Sequence, residues 1–156
     1  MSENNASFPH FAKLSISPVL LIRFCSILFF GLMIGHMFGY PWASSHLPQE
    51  AQLVGLMKTT DFVFAGEHQT YWGLYYGWGV LVGVLLFMTA IIIWFVSDLV
   101  RFAPRRVAMI TGVVSLVSLI GCCISFRFFY IPPAACFAVL CVVLLAATVQ
   151  LLRTEK

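Results

Sequence analysis

Charged side chains are scarce in this sequence. Asp, Glu, Lys and Arg together account for 10% of the 156 residues, whereas apolar residues account for 61%. The mean hydropathy of +0.96 agrees with this imbalance. Such a composition excludes an ordinary water-soluble domain, and the small excess of basic residues gives no reason to expect a nucleic-acid partner.

The sequence also lacks the short motifs of common catalytic chemistry. It contains no HExxH, no GxSxG and no phosphate-binding glycine loop. Its five cysteines fall inside apolar stretches without CxxC spacing, which disfavours thiol redox chemistry. No metal or cofactor is predicted, although a haem b held by His36 and His68 is a weaker alternative. Catalytic residues stay unknown, and the sequence leaves open whether the protein is an enzyme.

Four long apolar stretches make up most of the sequence. They cover residues 18–40, 73–97, 107–126 and 131–152. Each can cross the roughly 30 Å hydrocarbon core of a bilayer at about 1.5 Å per helical residue. The sequence therefore predicts an all-α fold, a transmembrane four-helix bundle that forms one domain over residues 18–152. Residues 1–17 are expected to form a cytoplasmic tail, and residues 153–156 a cytoplasmic end.

Basic residues predict the orientation of the bundle. Most of them lie before the first stretch, between the second and third, or after the fourth: Lys13, Arg101, Arg105, Arg106, Arg153 and Lys156. Because loops rich in Lys and Arg stay in the cytoplasm, both termini and the 98–106 turn are expected there. The 41–72 connection is then expected outside. Arg23 and Asp98, on different helices near the inner boundary, predict a structural ion pair.

The 41–72 connection is longer than an antiparallel helix pair requires. Within it, helical spacing relates Leu53, Leu56, Met57, Thr60 and Phe64. This pattern predicts a short amphipathic helix over about 50–64, which lies in the membrane interface or folds over the mouth of the bundle as a lid.

Glycines recur at four-residue spacing in the first two apolar stretches. They are Gly31, Gly35 and Gly39 in the first stretch, and the pairs Gly73 with Gly77 and Gly79 with Gly83 in the second. Stripes without side chains let two helices approach closely in a membrane. We expect the first two apolar helices to pack against each other through these glycines, with a homodimer through the same stripes as the alternative.

Polar and ionisable residues collect on the predicted outer side. Ionisable groups within a membrane are costly and usually face the interior of a bundle, so they are the first candidates for a site. The predicted ligand-binding residues are His36, Glu67, His68, Tyr71, Tyr75 and Arg127. We expect them to surround one cavity that opens toward the outer leaflet beneath the amphipathic helix.

Each of these residues also has a simpler interpretation. His36 is explained as well by a core histidine that is bonded to a backbone carbonyl, and Glu67 with His68 by a solvated loop end. Arg127 can extend toward lipid headgroups. The tyrosines are typical of the aromatic belt at a membrane surface.

Two segments carry a resemblance to known proteins. The HQTYWGLYYGWG segment at 68–79 resembles the second-helix signature of small bacterial four-helix membrane proteins, and the Gly35-His36 pair and the RFFYIPP segment at 127–133 fit the same pattern. The resemblance implies the fold and a bacterial inner-membrane location, but no activity. The layout also resembles sterol-isomerase-like and emopamil-binding proteins. Those families rely on acidic residues within their spans, which this sequence lacks, so their activity is not carried over.

Two function classes follow from these observations. The first is an integral membrane protein that binds a lipid-like or isoprenoid small molecule, of isoprenoid, quinone or sterol type, in an outward-facing pocket. The second is a non-catalytic accessory subunit of a larger membrane complex, whose glycine and aromatic faces dock onto a membrane-protein partner. In both cases membrane lipids surround the bundle, and no nucleic acid is bound.

Overall fold

The structure is a computed structural model that describes residues 16–39 and 47–153. Its elements are α1 (Pro18–Gly39), α2 (Pro48–Thr59), β1 (Asp61–Phe64), β2 (Glu67–Thr70), α3 (Tyr71–Asp98), a short 3-10 turn (Leu99–Arg101), α4 (Pro104–Phe128) and α5 (Ile131–Arg153). The predicted tail at 1–17, except for its last two residues, and the end at 154–156 lie outside the described residues. So does the 40–46 part of the long connection.

Four of the helices, α1, α3, α4 and α5, are long and apolar enough to cross a membrane. Apolar side chains cover the outside of the bundle. Examples are Phe95, Val113 and Val142, which are all more than half exposed. A surface of this kind requires lipid as its surroundings because it would be unfavourable in water. The predicted fold class, a four-helix bundle of membrane-spanning length, is confirmed.

Local signals explain where the helices begin. Proline stands in the first turn of α2 and of α4, where its missing N–H would have no helical partner. The start of α3 is fixed differently, because the backbone N–H of Gly73 donates to the Thr70 hydroxyl oxygen at 3.0 Å. This cap sets the first turn of the helix directly after a β-strand.

A β-hairpin occupies the segment before α3. β1 pairs antiparallel with β2, and the two residues between them, Ala65 and Gly66, both have positive φ. Two residues of this conformation match the twist of the flanking strands and close a hairpin. The predicted helix over 50–64 is therefore wrong beyond Thr59. Phe62, Val63 and Phe64 form a strand because aromatic and β-branched residues next to a glycine turn favour pairing with the following segment.

The long helices form two antiparallel pairs. α1 packs along α3, α4 packs along α5, and contact between α1 and α5 joins the pairs. We call the end with the 99–103 turn the arginine end, and the end with α2, the β-hairpin and the 129–130 turn the hairpin end. Two buried apolar clusters fill the arginine end and the middle of the bundle, with Ile22, Ile93, Val107, Ala147 and Leu151 in the first and Cys25, Phe29, Ala90, Leu140 and Leu144 in the second.

Polar contacts lie along the pair of α1 and α3. At the arginine end, the Arg23 guanidinium is 2.9 Å from the Asp98 carboxylate and 5.0 Å from the centre of the Trp94 ring. The predicted ion pair is confirmed. Further along, the Ser26 hydroxyl donates to the Ala90 carbonyl at 2.6 Å. These contacts hold the two helices in one register.

The close contact between α1 and α3 does not use the α1 glycines that the sequence predicted. α1 does pack on α3, but a Cβ added at Gly31, Gly35 or Gly39 would meet nothing within 4 Å. The face of α1 that is buried carries Ile22, Cys25, Ser26 and Phe29, and at about 100° per residue Gly31 lies on the opposite side. The close approach is at Gly83, where an added Cβ would be 2.5 Å from the Met37 sulfur. The predicted role of the α1 glycines in this contact is wrong.

The pair of α4 and α5 is held by small hydroxyl side chains. The buried polar residues of α4 recur at helical spacing: Thr111, Ser115, Ser118 and Ser125. Thr111 shares a hydrogen bond of 2.8 Å with the Thr148 hydroxyl, and the Ser115 hydroxyl donates to the Cys141 carbonyl at 2.8 Å. Small residues of this type allow close helix packing in lipid.

Candidate functional site

A cavity of about 700 Å³ lies at the hairpin end. Its lining comes from α1, α2, α3 and the turn between α4 and α5: Gly35, His36, Gly39, Met57, Tyr71, Leu74, Tyr75, Trp78, Gly79, Val82, Phe129 and Tyr130. This volume is in the range of small-molecule sites, which are mostly apolar with a few polar groups.

The α1 side of the cavity has very little side-chain bulk. Gly35 and Gly39 both line it, and a Cβ added to either would meet nothing within 4 Å. Side chains at these two positions would project into otherwise open space. The glycines that do not bring α1 onto α3 therefore help to leave this cavity open.

The α3 side consists largely of aromatic rings. Tyr71, Tyr75, Trp78 and Val82 follow one another at intervals of three or four residues, which places them on one face of the helix. The Tyr71 ring also packs on Phe62 of the hairpin, with 4.8 Å between ring centres. This contact ties the hairpin to the first turn of α3, where the face begins.

The turn between α4 and α5 closes another side with Phe129 and Tyr130. α4 ends at Phe128, and α5 begins at Ile131 with two prolines in its first turn. Because proline can start a helix but cannot continue one, the sequence confines the turn to two residues. Both of those residues are aromatic and reach the cavity.

His36 connects the cavity to the packing of α1 on α3. Its Nε2–H donates to the Gly79 carbonyl oxygen at 2.8 Å. This bond to a backbone carbonyl is the one expected of a core histidine. His36 also lines the cavity, so its structural bond is compatible with a place in a site, which stays a prediction.

α2 covers the cavity from one side. Met57 lines the cavity, and the neighbouring Lys58 ammonium lies 4.9 Å from the centre of the Trp72 ring. In the described part of the chain, α2 buries none of its side chains. The helix is thus held on the bundle by surface contacts, with one cation–π interaction among them.

The structure brings together three of the six predicted site residues: His36, Tyr71 and Tyr75. Glu67 instead lines a shallower cleft of about 490 Å³ between the hairpin and α3. Leu74 and Trp78 line both spaces, so the cavity and the cleft share this wall. Whether any of these residues binds a ligand stays a prediction.

His68 and Arg127 are not on the lining of the cavity or of the cleft. Glu67 and Gln69 line the cleft, and in a strand the residue between them faces the other way. His68 is therefore on the other face of the hairpin, where it is exposed and is the cross-strand partner of Val63. The Arg127 guanidinium lies 5.3 Å from the Phe128 ring centre on the exposed end of α4. A haem held by both histidines needs them on one cavity, and only His36 lines it.

Sequence reasoning missed part of the lining. Phe129 and Tyr130 are not among the predicted site residues, and Met57 was expected only in the amphipathic helix. The shared face of Tyr71, Tyr75 and Trp78 was visible in their spacing, and extending that spacing by four residues leads to Val82. The α1 side of the cavity had no such signal, because a glycine pattern alone does not distinguish close packing from open space.

Comparison with family models, curated proteins and solved structures finds no match to this chain. The resemblance based on residues 68–79 and 127–133 therefore stays a prediction. Within residues 16–39 and 47–153, no group of three or more His, Cys, Asp and Glu residues could hold a metal ion. The fold and the cavity define a four-helix membrane bundle with an aromatic cavity at one end.

Proposed function

We propose that the protein binds a lipid-like or isoprenoid small molecule in the cavity at the hairpin end. The observation that carries this proposal is the cavity itself, about 700 Å³ lined mainly by apolar and aromatic side chains. A bundle that served only as a structural unit would have no need for such a volume between its helices, since helices in lipid are stabilised by close packing.

The shape of the cavity suits an elongated molecule. Its α3 lining runs from Tyr71 to Val82, which corresponds to roughly 16 Å along a helix at about 1.5 Å per residue. Tyr71 stands at the first residue of the helix and Val82 lies well inside the apolar span. A ligand with a small polar group and an apolar body would find matching surroundings along this length.

The proposal includes a location. The distribution of arginines supports an orientation with the arginine end in the cytoplasm, so that the cavity opens on the outer side of the membrane. The resemblance of the 68–79 and 127–133 segments supports the inner membrane of a bacterium. Ligand would then exchange with the outer leaflet.

Two leucine variants of α1 test the proposal. Gly35→Leu adds a branched side chain at a residue that lines the cavity, whereas Gly31→Leu adds the same side chain one turn away, at a residue that does not line it. Native mass spectrometry with lipid extraction on the detergent-purified protein measures the bound molecule. We expect it with the unaltered chain and with Gly31→Leu, and an occupancy lower by at least about tenfold with Gly35→Leu.

Equal occupancy in the two variants would contradict this cavity as the binding site. The second function, an accessory subunit, is favoured by one observation: an added Cβ at Gly31 would meet nothing within 4 Å in the described part of the chain, so this position is open to a partner helix. The accessory-subunit function would be favoured over ligand binding by two results together. None of the three proteins would carry a bound molecule, and a membrane protein that co-purifies with the unaltered chain would be lost with Gly31→Leu.

A further inference from the structure

The cavity also indicates which kind of molecule it takes. We infer that the ligand carries a flat, uncharged ring with carbonyl groups, as a quinone with an alkyl or isoprenoid tail does. This inference rests on the proposed function and adds the chemical class of the headgroup.

The first argument is the supply of aromatic rings. Of the twelve residues that line the cavity, five are Tyr, Trp or Phe, so nearly half of the lining residues present a flat π-face or edge. Aromatic rings interact favourably with other rings in offset or edge-to-face arrangements. An acyl chain gains nothing from this geometry, since any apolar side chain of similar size would serve it equally well.

The second argument is the low side-chain bulk on the α1 side. Gly35 and Gly39 line the cavity without side chains, and an added Cβ at either would meet nothing within 4 Å. A rigid, planar molecule can approach the helix closely at these positions. A flexible chain adapts to bumps and grooves, and does not require it.

The third argument is the character of the polar groups. The described lining residues include Tyr71, Tyr75, Tyr130 and His36, but no Asp, Glu, Lys or Arg. A phosphate, carboxylate or ammonium headgroup would need an opposite charge, because burying an unpaired charge is very costly. Carbonyl oxygens accept hydrogen bonds from phenol hydroxyls without a net charge on either side.

The length of the cavity accommodates the tail. Val82 and Leu74 line the same space as the rings, and both are side chains of the apolar span of α3. A ring among the tyrosines near the start of α3 can therefore continue into an alkyl tail toward the middle of the bundle.

The test compares three ligands with the same ten-carbon tail: a decyl-substituted benzoquinone, decanol and decyl phosphate. Each is titrated into the detergent-purified full-length protein, and occupancy is read by native mass spectrometry. We expect the quinone to bind at least about tenfold more tightly than either of the others. Its binding should fall with Gly35→Leu and persist with Gly31→Leu.

Tryptophan fluorescence locates the ring. Trp78 lines the cavity and its side chain is 61% exposed, whereas Trp94 stacks on Arg23 at the other end. A bound quinone should quench a saturable part of the emission, and Trp78→Phe should make that part smaller, while Trp72, whose ring centre is 5.9 Å from that of Tyr75, still contributes. A quenched part that is unchanged in this variant would place the ring elsewhere and overturn the inference.

The outcomes separate the inference from the function it rests on. If decanol or decyl phosphate binds as tightly as the quinone, or if an extracted lipid occupies the cavity and the quinone does not, the ring assignment is wrong and the binding function stands. If none of the three ligands binds saturably and no lipid is extracted, both are wrong.

Discussion

The two ends of the bundle are built differently. At the arginine end, side chains of all four long helices meet in a buried apolar cluster, next to the Arg23–Asp98 ion pair. At the hairpin end, glycines and aromatic rings surround an open volume, and α2 covers it without burying a side chain in the described part of the chain. Stability and the proposed binding are therefore separated along the bundle axis, so substitutions at one end should leave the other property largely intact.

The largest expected effect concerns the sides of the membrane on which the two ends lie. Single cysteines at Gln52 in α2 and at Arg105 at the start of α4 are both on exposed positions. In intact cells, a membrane-impermeant maleimide should label Gln52→Cys and spare Arg105→Cys, because basic loops stay in the cytoplasm. Labelling of the native cysteines, measured on the unaltered chain, gives the background. Labelling of Arg105→Cys alone would invert the orientation.

The next effect compares neighbouring leucines on α5. Leu144 is 0% exposed within the second buried cluster, and Leu145 is 52% exposed on the outside of the bundle. Leu144→Ala should lower the free energy of unfolding by about 2–5 kcal/mol, since it leaves a cavity between packed helices. Leu145→Ala should cost far less. Thermal unfolding in detergent measures both, and equal losses would show that the cluster does not stabilise the bundle.

A smaller effect is expected for crowding between α4 and α5. A Cβ added at Gly121 would lie 3.1 Å from the Phe137 ring, and that ring packs against the second buried cluster. Gly121→Leu should therefore cost about 1–3 kcal/mol through overpacking. Gly31→Leu introduces the same side chain where nothing lies within 4 Å and serves as the control. A melting temperature of Gly121→Leu equal to that of the control would contradict the close contact.

The smallest expected effect on stability concerns His36. His36→Ala removes the hydrogen bond to the Gly79 carbonyl, which is worth about 0.5–1.5 kcal/mol on average. The bundle should stay folded, while ligand occupancy in native mass spectra falls. If ligand occupancy in His36→Ala equals that of the unaltered chain, His36 has only a structural role. Unfolding of this variant would instead show that the two ends are not independent.

The sequence was sufficient for the helices that span the bundle. An apolar run of twenty residues or more has one stable conformation in lipid, because a helix satisfies every backbone hydrogen bond by itself. The hairpin was not predicted, because strands of four residues give a pattern too short to distinguish from a helix. Phe64 of β1, for example, also has helical spacing from Leu53 and was therefore included in the predicted helix. Only the left-handed pair Ala65-Gly66 distinguishes the two, and alanine is not a usual residue there.

The cavity lies at the end where the sequence predicted a site, but only half of the predicted site residues line it. The concentration of polar groups pointed to the hairpin end, where the cavity lies with His36, Tyr71 and Tyr75 on its lining. Glu67, His68 and Arg127 are close in sequence to lining residues but do not line the cavity. The directions of their side chains depend on the alternation of β2 and on where α4 ends, and residue spacing gave neither. Spacing also does not show which face of a helix is packed. The glycines of α1 were therefore expected in the contact with α3, although they border open space.

The order in which the helices are connected bears on how the protein assembles. α4 and α5 are joined by two residues, so their hydroxyl-bonded pair is a local contact that closes as soon as both helices have inserted. α1 and α5 are the most distant helices in the chain, and their contact joins the two pairs. Long-range contacts of this kind form late. Because Phe129 and Tyr130 complete the cavity lining, we expect the cavity to form only with this last step, so that a chain whose assembly halts earlier would lack the cavity.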